Sequence, residues 1–220
     1  MPKIPSAKSR DLANSTSLWL KRIEPHRMHR LKLRPAKAAL LVIDLQNFFL
    51  DPKSPTFTAG GAAILSNVRK LIAAFRRAKR PIIYTTHVHK PDGSDAGIMK
   101  WWWEGMCREG HPEAKIHSSI APRTQDKIIV KHRYSAFYNT DLETVLRCAK
   151  IEDLVVTGVM TNLCCESTAR DAYYRDYRVF FLADATGATD EELHVAALMN
   201  LAYGFAHIAT TGEILRQVVG

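Results

Sequence analysis

Cysteine is scarce in this 220-residue chain: only Cys107, Cys148, Cys164 and Cys165, irregularly spaced and with no C-x-x-C pair. That pattern excludes a disulfide framework at this length and fits a reducing compartment. Long apolar runs are also lacking. No stretch approaches the roughly 18 consecutive apolar residues that span a bilayer, and no charged-then-apolar-then-small pattern marks a secretory signal. These absences predict a cytoplasmic chain with no membrane partner. Internal repeats and low-complexity tracts are missing as well. Acidic residues are almost absent from the first 38 positions, where ten basic residues (Lys3, Lys8, Arg10, Lys21, Arg22, Arg27, Arg30, Lys32, Arg34 and Lys37) face only Asp11 and Glu24.

What is present, 46% apolar and 24% charged side chains, suits one globular domain with a full core and excludes a disordered chain or a mini-protein. A formal net charge of +9 raises the question of a polyanionic partner. Beyond residue 38, however, 21 basic groups stand against 20 acidic ones. The basicity therefore belongs to an N-terminal arm, residues 1–36, ahead of a neutral body, residues 37–220. The arm carries Trp19, His26 and His29 but no aromatic-interleaved motif or reading helix, so no nucleic-acid partner is expected. It is expected to be a solvated extension or a contact with a neighbouring subunit. Its composition would also suit a mitochondrial transit peptide.

From Ala38 onward, short β-branched apolar runs alternate with segments of helical period. The predicted strands are 38–44, 81–88, 127–131, 153–159, 178–184 and 206–210. Helical segments lie between them, with caps expected at Thr140 or Asp141, at Thr161 and Asn162, and at Thr189 or Asp190. This alternation predicts an α/β fold: a single-domain three-layer αβα sandwich on a mostly parallel, roughly six-stranded, doubly wound sheet. The one long irregular stretch, about 90–126, has the length of a functional loop.

In an open parallel sheet, ligands bind beyond the carboxyl ends of the strands. Three reactive residues fall there: Asp44 closes the first strand, Lys131 closes the third, and Cys164 opens the helix after the fourth. Taken singly, each has a commoner structural role as a turn cap, a solvated cation or a small buried hydrophobe. Together they form a nucleophile, a base and an electrostatic partner. A cysteine in the first turn of a helix, near an ammonium, is expected to reach its thiolate near neutral pH, and a carboxylate can shuttle its proton.

The segments 39–49 (ALLVIDLQNFF), 128–147 (IIVKHRYSAFYNTDLETVLR) and especially 155–185 (VVTGVMTNLCCESTARDAYYRDYRVFFLADA) resemble the isochorismatase-like cysteine hydrolase superfamily over about residues 36–215. The similarity is closest to the branch of ureidoacrylate, N-carbamoylsarcosine, biuret and maleamate amidohydrolases. The resemblance implies a catalytic triad of Asp44, Lys131 and Cys164. It also implies a cis peptide at Val159–Met160 and an oxyanion hole from the backbone amides of Met160 and Cys164. Cys165, turned about 100° along the helix, should point into the core. No organic cofactor is implied.

The activity implied is cysteine-dependent hydrolysis of a C–N bond in a small amide, ureide or carbamoyl compound through a thioester, releasing ammonia or an amine. The alternative is isochorismatase, a vinyl-ether hydrolase whose family members resemble this chain but usually carry a small residue where Cys164 stands. Further alternatives are a metal-assisted nicotinamidase and a non-catalytic scaffold. Nicotinamidases hold a metal through an Asp-x-His pair, and here the stretch reads His87-Val88-His89. Such a pair could chelate zinc together with His111 or His117, but the expected roles of His87 and His89 are substrate contacts, with no metal. Gln46, Phe49, Trp102, Arg133 and Tyr138 are further expected substrate-binding residues. Trp102 belongs to the Trp101-Trp102-Trp103 run before Glu104, a candidate lid or subunit contact. Arg170 and Asp171 read as structural. The family's habit implies a homo-oligomer, dimer or tetramer, acting on a small-molecule substrate.

Overall fold

The computed structural model describes residues 9–103 and 105–219, with Lys3, Lys8 and Glu104 outside that range. Six strands, β1 (Ala38–Ile43), β2 (Ile82–His87), β3 (Lys127–Lys131), β4 (Asp153–Val159), β5 (Arg178–Gly187) and β6 (His207–Ala209), form one sheet. The order is β3-β2-β1-β4-β5-β6 and every pairing is parallel. The direction of winding reverses between β1 and β4, which creates a crevice at their carboxyl ends.

Strands other than the edge strand β3 are apolar on both sides because both faces are covered, whereas β3 exposes Ile128 and Val130 on one face. Ala39, Leu41 and Ile43 of β1 face a core shared with α5 (Leu142–Cys148), α6 (Glu166–Tyr173) and α7 (Glu191–Gly204). Ala38, Leu40 and Val42 face the opposite core, with α3 (Ala59–Arg77) and α8 (Thr211–Val219). This is the three-layer sandwich expected. The segment between β2 and β3 has little regular structure beyond α4 (Ile98–Trp102), and the short α2 (Asn47–Leu50) follows β1. No helix among the described residues is long and apolar enough to cross a membrane.

The arm differs from a solvated extension. Residues Ser9–Ile23 form a helix, α1, whose Leu12, Thr16 and Ile23 are buried along one face. Leu12 joins one core and Ile23 the other, so α1 packs against both layers. The stretch after it is pinned by polar bonds. Arg27 donates to the Ile208 carbonyl at 3.0 Å, the Leu31 amide to His207 Nδ1 at 3.2 Å, and the Leu33 amide to Gln217 Oε1 at 2.8 Å. Arg34 closes on the fully buried carboxylate of Asp153 through its amide at 2.8 Å and its guanidinium at 2.5 Å. Basic composition concealed an amphipathic stripe at helical spacing, and that stripe docks the arm on its own domain.

Helix capping selects between two pairs of expected residues and corrects a third expectation. Asp190 caps α7, accepting from the amides of Glu192 and Leu193, and Thr140 rather than Asp141 accepts from the Leu142 amide. Asp141 instead pairs with Lys127 at 2.6 Å. Thr161 and Asn162 cap nothing, because Thr161–Cys165 is a π-helical turn joined to α6.

Candidate active site

Asp44 follows β1 in the left-handed region, at φ +49°, a conformation Asp tolerates better than most side chains. Its carboxylate is fully buried. Oδ2 lies 2.6 Å from Lys131 Nζ, and Oδ1 accepts from the Thr85 hydroxyl, which also receives the Asp44 amide at 3.1 Å. Lys131 ends β3, two strands away from β1, and its stem spans the end of β2. Its ammonium also donates to the Arg133 carbonyl at 3.0 Å and to Cys164 Sγ at 3.3 Å, and sits 3.4 Å from His87 Nδ1. Burial alone would favour neutral lysine, but Asp44 and Cys164 outweigh it and raise the Lys131 pKa.

Cys164 stands in the turn after β4, 4% exposed, beside the switch point that β1 and β4 define. Asp44, Lys131 and Cys164 thus converge, as the sequence predicts. The thiol itself differs from expectation. Burial pushes its pKa up to about 12; Lys131 lowers it and Asp44 raises it. Removal from water thus opposes the thiolate more than the Lys131 ammonium supports it. Cys165 is fully buried with Sγ 4.0 Å from the Thr157 carbonyl, on the core side as expected. The Val159–Met160 peptide is cis, as the resemblance implied.

His87 is buried and neutral: burial first, then the Lys131 charge, holds its pKa well below the usual histidine range. Its Nε2 meets His89 Nε2 at 3.2 Å. His111 and His117 do not join this pair. His111 is exposed beside Glu113, and His117 bonds Ser119. Among the described residues, two groups bring three ligating atoms within 4.8 Å: Asp44 with His87 and Cys164, and His89 with Asp95 and His132. The first already surrounds an ammonium, so a metal ion there would meet like charge. The second offers two nitrogens and an oxygen, with His89 Nδ1 and Asp95 Oδ2 buried and lacking hydrogen bonds. That donor set suits zinc or a similar divalent ion.

The other residues expected to bind substrate have the following partners and exposure. Gln46 is fully buried, and its amide is spent on backbone: Oε1 accepts from the His87 amide at 2.8 Å and Nε2 donates to the Ala114 carbonyl at 2.9 Å. It ties β1 to β2. Arg133 donates to the carbonyls of Asp95 and His132. Tyr138 is exposed, and Phe49 is half-buried against Phe48. Trp102 is 61% exposed and lies beside Trp101. Because α4 ends at Trp102, the extended Trp103 turns the other way, and its Nε1 donates to the Tyr134 hydroxyl at 2.8 Å. Arg170 and Asp171 form ion pairs along α6, with Glu166 and Arg175. Sequence reasoning missed Thr85; its signal was a polar residue inside an apolar strand, two positions before His87.

A doubly wound sheet with Asp, Lys and Cys meeting at its switch point defines a cysteine hydrolase. The chain belongs to the isochorismatase family: the Isochorismatase domain matches residues 38–213. It is 41% identical to Nicotinamidase 3 of Arabidopsis thaliana over 83% of this chain and 89% of that protein. It is 31% identical to a ureidoacrylate amidohydrolase of Methylobacterium radiotolerans, over 84% of this chain and 81% of the other. Among solved structures, a cysteine hydrolase from Pseudomonas syringae pv. phaseolicola superposes with a TM-score of 0.83 at 33% identity, covering 86% of this chain and 95% of that one.

Proposed function

We propose that this hydrolase cleaves the C–N bond of a small amide, ureide or carbamoyl compound through a thioester on Cys164. The observation that carries the reading is the buried Asp44–Lys131–Cys164 cluster, with a thiol 3.3 Å from an ammonium that is itself 2.6 Å from a carboxylate. In the first half-reaction Asp44 takes the thiol proton as sulfur attacks the carbonyl carbon. The oxygen that gains charge is held by the backbone amides of Met160 and Cys164. Asp44 then returns the proton to the nitrogen, which leaves as ammonia or an amine. In the second half, Asp44 takes a proton from water as it attacks the thioester, and the acid departs while the thiol is restored. Lys131 keeps the carboxylate charged and oriented throughout.

A carboxylate base suits a thiol whose burial keeps it protonated at rest. Transfer during attack avoids accumulating a buried thiolate. A divalent ion on His89, Asp95 and His132 would supply a Lewis acid at the rim of the site; none of the steps above is routed through one. The wall of the site is proposed to include His87 and Trp103, with Trp101 and Trp102 on a cover.

A specific reading within this class, hydrolysis of nicotinamide, is favoured by the 41% identity to Nicotinamidase 3. The experiment is an ammonia-release screen over nicotinamide, simple amides, ureides and carbamoyl compounds, with isochorismate cleavage measured alongside. Ammonia release that disappears in Cys164→Ala and largely survives in Cys165→Ala supports the proposal. Cleavage of isochorismate alone, indifferent to Cys164→Ala, overturns it. The resemblance also leads us to propose a dimer or tetramer, which light scattering on the purified chain tests.

A further inference from the structure

The segment matched by the family begins at residue 38, so α1 lies outside it, yet α1 is linked through α7 to the turn that carries the nucleophile. Trp19 on α1 lies against the ring of His194 on α7, with centroids 4.4 Å apart, and donates its Nε1 hydrogen to Glu191 at 2.7 Å, one turn earlier on the same helix. His194 is 3% exposed, and its Nδ1 is 2.8 Å from the hydroxyl of Thr161, which is fully buried. Thr161 is the first residue of the π-helical turn, and Cys164 is the fourth.

A π-helical turn is a rare, poorly self-supporting arrangement that persists where neighbouring structure holds it. Inside this turn the amides of Leu163 and Cys165 both converge on the Met160 carbonyl, and the Thr161 hydroxyl serves no helix cap. It is committed instead to His194. Around the junction, Leu12, Ser15 and Trp19 of α1, Gly60 of α3, Gly187 of β5 and His194 surround a cavity of about 60 Å³. Docking of α1 therefore covers the His194 side chain that holds Thr161.

We infer that α1 is a clamp on the nucleophile, with Trp19 and His194 acting as positioning residues that fix Cys164 through Thr161. The inference rests on Cys164 being the nucleophile, as proposed above. In wild type the thiol is limited both by access and by burial. Releasing Thr161 therefore opens the turn, admits reagent to Cys164 and misplaces its sulfur against Asp44.

The test is peptide-resolved labelling of the full-length protein with iodoacetamide, which needs no substrate, so its failure is separable from failure to find one. Cys107, buried in another cluster, reports general loosening. Trp19→Ala, His194→Asn and Thr161→Val are each expected to speed labelling of Cys164 relative to Cys107 by about threefold or more, the signature of local opening. Thr161→Ser, which keeps the hydroxyl, is expected to leave that ratio near wild type. On any substrate found, the first three variants lower kcat with little change in KM. The inference is overturned if Cys164 and Cys107 speed up together, or if none of the three variants changes the ratio.

Discussion

Asp44 owes its position to a strained backbone angle and to one hydroxyl. Its φ of +49° turns the carboxylate back over the sheet end, and Thr85 receives the Asp44 amide while donating to Oδ1. Thr85→Val preserves shape but leaves a buried carboxylate oxygen without a partner, at a loss of about 1–3 kcal/mol. The expected outcome is a fall in kcat of about tenfold or more with KM little changed, measured by steady-state kinetics. An unchanged kcat would remove Thr85 from the account. At this scale the triad was legible because strand ends can be read from apolar runs, and chemistry concentrates there. Thr85 and His194 were not, since each lies inside an element rather than at a strand end, where only packing shows its partner. Gln46 and Arg133 read as binding groups because a polar side chain at a strand end shows nothing of the backbone groups that consume it.

The elements that carry the triad are held at a fixed spacing by Gly158 in β4. Its φ is +118°, and a Cβ there would come 2.0 Å from the Ile43 carbonyl oxygen, one residue before Asp44. Both the angle and the clash oppose any side chain. Gly158→Ala is expected to destabilise the fold by about 3 kcal/mol or more, at the severe end of single substitutions, as read by urea unfolding. A loss below about 1 kcal/mol would show that β1 and β4 can part without consequence. All six strands were legible as short apolar runs, which burial on both faces explains for the inner strands but not for the edge strand β3, whose Ile128 and Val130 are exposed. The π-helical turn was not: TNLCC followed by ESTARDA has the period of an ordinary helix start, and only packing against α7 distinguishes the two. The same limitation hid the exit of Trp103 from the short α4.

For the whole molecule, α1 and the segment after it are packed and hydrogen-bonded to the body, and His194 at the junction links stability to pH. Burial lowers its pKa from 6.5 to about 4. The unfolded chain therefore takes up a proton between these values that the folded chain refuses, and stability rises with pH across that window. The contribution is complete above about pH 6.5 and is lost on acidification toward pH 4, amounting to roughly 3 kcal/mol. Thermal unfolding between pH 4.5 and 7 should show this rise, and His194→Asn should make it shallower, with buried His87 supplying part of what remains. A slope equal to wild type in that variant would contradict the assignment. Among the described residues, the arm's charge lies on a docked helix and the segment after it, invisible to a count of lysines and arginines because the apolar stripe beneath them is only a few residues wide.

The central claim, covalent catalysis by Cys164, is tested most directly by intact-mass spectrometry of enzyme quenched during turnover of a substrate found in the ammonia screen. The account predicts a mass increase equal to the acyl fragment on wild type and on Cys165→Ala, mapped to residue 164 and absent from Cys164→Ala. Turnover at an undiminished rate by Cys164→Ala, or an adduct carried by Cys165, would contradict it.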